Sequence, residues 1–203
     1  MAYDSAEAPR AAARPMLNLP RPIPKTTLAV FTVTAIATAL TFAYPHLIAA
    51  LERTPTMLAH YEWWRFITPV FINPEGWLQI VANAVGLLVL GAIVEREFNS
   101  SRRLAIYFFS AIVGEIAGYA WKPNGAGSSV GVSGLLGAVG ALLLVAQAPQ
   151  ARVGAFVILL GAATLAWFRD LHGPPILFGF ALALLLHRLA HPPSPRKTMT
   201  QIV

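Results

Sequence analysis

Six apolar runs dominate the chain, separated by segments that carry its charges, prolines and turn residues. The first runs from Thr27 to about Leu51, with Pro45 near its far end. It is too long for the apolar core of a cleavable signal and reads as an uncleaved first span. The others run at about 77–94, 104–121, 132–148, 153–168 and 171–189. The fifth is short against the ~20 residues that a ~30 Å hydrocarbon core requires. Between the first two runs lies a loop of about 25 residues, 52–76. Its aromatics, Tyr61, Trp63, Trp64, Phe66 and Phe71, are of the kind that favours the membrane interface. The expected fold is an all-α membrane protein, a bundle of six transmembrane helices over residues 25–190. Residues 1–24 read as a flexible N-terminal tail and 191–203 as a C-terminal one.

Composition supports this. Of the 203 residues, 56% are hydrophobic and only 12% charged, about half the charged share of a soluble domain. A soluble chain of this length needs more polar surface to cover its core. The absence of Cys excludes disulfides, Cys-ligated zinc, iron–sulfur clusters and thiol catalysis. The net charge of +6 does not call for nucleic acid, because of how the cations are distributed. Eleven of the 15 Lys and Arg fall in the two tails and the 2–3 and 4–5 loops. The other four, Arg53, Arg65, Lys122 and Arg169, fall on the opposite side. That bias places both termini in the cytoplasm of a multi-pass protein of the cell membrane.

Polar groups in hydrocarbon need partners or a wet cavity. Four stand out: Gln79 and Asn83 on the second span, Ser133 opening the fourth, and His172 opening the sixth. These spans run in the same direction, so the four residues share one side of the membrane and a similar depth. Gln79 and Asn83, four apart, share a helix face. A serine, a base and two amides converging at the extracytoplasmic end are what acyl transfer requires. Each residue also has a structural reading. Ser133 lies in a run of glycines at 131, 134, 137 and 140, which suits close helix packing. His172 suits a helix cap, and the two amides suit interhelical hydrogen bonding. The hydrolase elbow G-x-S-x-G is not met, since Leu135 takes the place of its second Gly. Asp170 and His172, two apart, would not face each other on a helix, which favours a Ser-His dyad over a triad.

These residues resemble a rhomboid intramembrane serine protease, over about Trp64 to Leu186. The resemblance is carried by Trp64-Arg65 with Thr68 and Phe71, by Gly131-Val132-Ser133-Gly134, by His172 with Gly179 seven residues later, and by Glu95-Arg96. It implies a six-helix rhomboid-like bundle with Ser133 as nucleophile and His172 as base. Gln79 and Asn83, with the Gly131–Gly134 backbone, would hold the oxyanion and the substrate. It also implies that the second and fifth spans part to admit a substrate helix. Several positions depart from the pattern. Gln79 stands where a His is usual in His-x-x-x-Asn, and Asn73 where many bacterial members carry another His. Gly137 replaces an aromatic that packs on the catalytic His. Pro174-Pro175 follow His172, leaving it at the helix mouth and less firmly held.

Three functions follow as expectations. The first is a rhomboid-type serine endopeptidase, cutting in or near transmembrane segments of other membrane proteins. The second is a catalytically inactive rhomboid-like protein that binds transmembrane clients. The third is a small transporter, for which Glu115 is the intramembrane carboxylate on offer; its structural reading is a protonated or paired interhelical group. The expected partners are transmembrane substrates and the lipid bilayer, with no metal, cofactor or nucleic acid. Oligomeric state and substrate identity stay open.

Overall fold

The computed structural model describes residues 22–146 and 148–191; most of both tails lies outside this range. Six α-helices follow in order: α1 (Lys25–Ala43), α2 (His46–Leu51), α3 (Trp77–Trp121), α4 (Ser129–Val145), α5 (Pro149–Trp167) and α6 (Gly173–Ala190). Among the described residues there is no strand, only an isolated bridge between Arg53 and Gly125. Four of the helices are long and apolar enough to cross a membrane, and α4 is a shorter apolar helix.

The 45-residue α3 supplies two spans. Asn99, at φ 67°, breaks the helical path. Gln79 and Lys122, near opposite ends of α3, line one cavity. A straight helix would hold them over 60 Å apart at ~1.5 Å per residue, so the arms 77–98 and 100–121 double back on each other. The expected loop between these spans is therefore a single non-helical residue. Arg103, expected near that loop, is buried, its guanidinium 5.3 Å from the Tyr107 ring centre.

Proline accounts for three other boundary shifts. Tyr44-Pro45 splits the first apolar run into α1 and the short α2. Pro149 opens α5 instead of preceding it, since a first-turn residue needs no intrahelical N–H bond. The fifth span is consequently 19 residues and not short. Pro174 and Pro175 occupy the first turn of α6, with His172 as the capping residue. The fourth span begins at Ser129, three residues before its expected start.

Helix α4 is the hub, packed against α3, α5 and α6. Its glycines set the spacing. A Cβ on Gly131 would strike the Tyr107 ring, and one on Gly137 the α6 backbone at Ile176 and Phe180. A Cβ on Gly179 of α6 would strike the backbone of Gly134. This explains why no aromatic occupies position 137: the α6 main chain fills that space.

Buried polar groups pin the periphery. The Glu95 carboxylate accepts the backbone N–H of Thr26 and Thr27 and the hydroxyls of Thr27 and Ser100. An anion at a helix N-terminus meets unsatisfied N–H donors and the positive end of the dipole, so α1 is fastened to the α3 turn. Arg65 donates to the carbonyls of Ala49 and Glu52 and pairs with Glu62, holding the 52–76 loop together. Glu115 is paired with Arg53, which also donates to the Lys122 carbonyl. That pairing matches the structural reading of Glu115 as a paired interhelical group.

Gly137→Ala is expected to lower stability by about 1–3 kcal/mol, the usual cost of forcing atoms into a packed site. Gly161→Ala, where nothing lies within 4 Å, serves as the control. Thermal unfolding of both in the same detergent should separate them; equal melting temperatures would contradict the close approach of α4 and α6.

Candidate active site

At the end of the bundle where the two α3 arms terminate and α4 and α6 begin lies a cavity of about 260 Å³. Gln79, Lys122, Ser129 and His172 line it, with Arg53, Glu75 and Glu115. Both ring nitrogens of His172 have partners. Its Nε2 is 3.0 Å from the Ser129 hydroxyl, and its Nδ1 is 2.7 Å from Asp170 Oδ1. The same Asp170 oxygen accepts the His172 backbone N–H at 2.9 Å.

The local chain explains this arrangement. Residues 168–172 form a turn between α5 and α6, not part of either helix. Arg169 takes the left-handed conformation, φ 56°, and the Asp170 N–H donates to the Leu165 carbonyl. In such a turn an Asp side chain accepts the N–H two residues on, a geometry closed to the same pair within a helix. The helical argument against Asp170 facing His172 is thereby overturned. So is the expectation that Pro174-Pro175 leave His172 loosely held, since its ring is gripped from both sides. Burial pushes the Asp170 carboxyl up. The His172 backbone N–H and ring and the Lys122 charge outweigh that, holding it below the usual carboxylate range. It is an anion at neutral pH.

The residues singled out in the sequence divide. His172 and Gln79 share the cavity. Gln79 Nε2 donates to the Ala126 carbonyl at 3.0 Å and to Glu75 at 3.3 Å, and its Oε1 accepts the Glu75 N–H. Ser133 is half-buried on α4, four residues beyond Ser129, and makes no hydrogen bond with His172. Gly131 and Gly134 are buried against Tyr107 and Ser110. Asn83 is not brought to His172. Its amide donates to Asn73 Oδ1 at 2.6 Å, and that oxygen also accepts the Ser128 backbone N–H and hydroxyl. Asn73 in turn reaches Thr38 on α1. This buried node joins α1, the first loop, α3 and the start of α4, beside a separate apolar groove of about 250 Å³.

Ser129 and the Asp170 contact were missed from the sequence, yet both left a signal. The two prolines after His172 fix the start of α6, which leaves 170–172 non-helical. Ser129 sits four before Ser133, so the two share a helix face.

Asn83→Ala should cost about 1–2 kcal/mol of stability, the penalty for stranding part of a buried network. Activity per folded molecule should be unchanged. Thermal unfolding and turnover on one purified sample check both; a large fall in turnover with normal stability would return Asn83 to the chemistry.

Residues 60–189 match the family model described as Rhomboid domain. The chain is 37% identical over 101 residues to "Rhomboid protease GluP" of Bacillus subtilis, a stretch covering 49% of this chain and 19% of that protein. It is 31% identical over 83 residues to "Putative rhomboid protease YdcA" of the same organism, covering 39% and 41%. It is 34% identical over 97 residues to "RHOMBOID-like protein 5" of Arabidopsis thaliana, covering 47% and 30%. The matched stretches thus span less than half of each of these relatives. The family match covers most of the membrane bundle, including Gly131-Val132-Ser133-Gly134 and His172, and with the apolar helices it identifies the chain as a multi-pass membrane protein that belongs to the rhomboid family.

Proposed function

We propose that this protein is an intramembrane serine endopeptidase that hydrolyses peptide bonds in or near the transmembrane segments of other membrane proteins. The observation that carries the reading is the bracketing of His172 between an α4 serine hydroxyl and the Asp170 carboxylate, in a polar cavity at the end of an apolar bundle. A histidine so held can take a serine proton and return it to the leaving amine.

In this reading Ser133, the serine of Gly131-Val132-Ser133-Gly134, is the nucleophile. Ser129 and Ser133 lie one helical turn apart, about 6 Å along the axis. In this scheme the His172 ring keeps its contact with Asp170 while Nε2 exchanges Ser129 for Ser133 when substrate enters. Ser133 attacks the scissile carbonyl as its proton passes to His172 Nε2. The oxyanion is held by the Ser133 backbone N–H and by Gln79, whose longer hydrogen bond, to Glu75, yields to it. Gly131 and Gly134 keep the backbone beside the nucleophile open to the substrate. The acyl-enzyme is released by water, with His172 again as base. The cationic bias of the loops places both termini in the cytoplasm and the cavity on the extracytoplasmic side of the cell membrane.

A second reading, a catalytically inactive member that binds transmembrane clients, is favoured by one observation: His172 is bonded to Ser129 and not to the motif serine. Labelling by a fluorophosphonate probe and cleavage of single-span reporters discriminate. On the protease reading the wild type labels at Ser133, Ser133→Ala and His172→Ala abolish cleavage, and Ser129→Ala retains activity within about tenfold, since removing one hydrogen bond costs ~1 kcal/mol. A modified Ser129, with activity lost in Ser129→Ala alone, would transfer the nucleophile there. A wild type that neither labels nor cleaves supports the client-binding reading.

A further inference from the structure

We infer that Asp170 is a positioning residue for His172, so that this protein works with a carboxylate-oriented histidine in place of a bare Ser-His pair. The inference rests on the protease reading above for its catalytic meaning, but not for its geometry.

A neutral imidazole carries one N–H, and the partner of one ring nitrogen decides which nitrogen holds it. Asp170 Oδ1 lies 2.7 Å from Nδ1. As an anion it can only accept, so Nδ1 carries the hydrogen and Nε2 presents its lone pair. Nε2 faces the α4 hydroxyl at 3.0 Å. A base needs this tautomer to remove a serine proton.

The carboxylate is itself anchored. Its Oδ1 is fixed by the His172 backbone N–H, and the Gly173 N–H donates to the Asp170 carbonyl. A Cβ on Gly173 would collide with the α5 backbone at Ala162 and Ala166. The turn is thus wedged against α5, and ring orientation is set by main chain as well as by side chain. Lys122 is the cation acting on Asp170. Glu75, Arg53 and Glu115 also line the cavity that His172 enters, Arg53 and Glu115 being paired with each other. Among the described residues, Asp170 is the one carboxylate hydrogen-bonded to the ring.

When the serine oxygen attacks the substrate carbonyl carbon, its proton goes to Nε2 and the imidazolium is briefly cationic. Asp170, still ionised, keeps its hydrogen bond to Nδ1–H and offsets that charge; it takes no proton itself. Both side chains are about one-third exposed, 32% for Asp170 and 37% for His172, so solvent screens part of the effect.

The test uses the full chain in detergent or bilayer. Asp170→Asn places an amide at the same reach. It is expected to lower kcat by about tenfold to a hundredfold with KM nearly unchanged, a smaller loss than in fully buried triads because of the exposure. Asp170→Glu should recover part of that loss. The decisive readout is the ¹⁵N spectrum of the imidazole in its neutral form, which reports directly which ring nitrogen carries the hydrogen. Wild type should show the Nδ1–H tautomer, and Asp170→Ala, which removes the acceptor oxygen, should shift the population toward Nε2–H. A kcat within about twofold of wild type in an active, folded Asp170→Asn would overturn the inference, as would an unchanged tautomer in Asp170→Ala. If the wild type proves inactive, the protease reading fails, while the tautomer measurement still decides whether Asp170 orients the ring.

Discussion

The close approach of α4 to α3 and α6 is the constraint from which the site follows. In lipid, helix association draws on van der Waals packing, and that packing is strongest where backbones nearly touch. Gly137 on α4 and Gly179 on α6 permit such contact, since a Cβ there would strike the facing backbone, while Gly131 and Gly134 make room for the Tyr107 ring and the Ser110 side chain of α3. With these helices locked in register, the first turn of α4 stands beside the turn that leads into α6. Ser129 and His172 meet there because the glycines below them leave little freedom to slide.

Polar groups within the apolar bundle then divide into two kinds. Some are paired within the bundle: Glu95 with the α1 N-terminus, Arg53 with Glu115, and Asn83 with the node at Asn73. Each satisfies a group that hydrocarbon would otherwise leave stranded. Others stay at the wet end with capacity to spare. His172 and Gln79 line a polar cavity, where they bond to Ser129, to Glu75 and to the Ala126 carbonyl. Gln79 and Asn83, on one helix face, take different partners. Gln79, one turn nearer the end of the bundle, reaches the loop before α4; Asn83 reaches the first loop instead.

The departures from the family pattern acquire physical reasons in this setting. Gly137 replaces an aromatic because the α6 main chain already occupies its space. Asn73 replaces a histidine and serves as a double-sided hydrogen-bonding hub, accepting from Asn83 and Ser128 while donating to Thr38. Pro174-Pro175 begin α6 sharply, which releases 170–172 into the turn where Asp170 can grip the ring.

What the sequence by itself determined was the membrane bundle and its spans; it led to the expectation that Gln79, Asn83, Ser133 and His172 lie toward one end, where Gln79 and His172 do share a cavity. These depend on hydropathy, on the count of crossings and on spacing along single helices, all of which are local along the chain. Helix ends at Pro45 and Pro149 were misread because proline permits both a stop and a start. The tertiary structure alone decided which polar atoms meet. Ser129 at His172, Asp170 across a left-handed turn and Asn83 at Asn73 depend on how far one helix is shifted against the next, at distances of about 3 Å. A shift of one residue moves a side chain ~1.5 Å along the helix and ~100° around it, and that quantity is set by packing, not by the residues of any one helix.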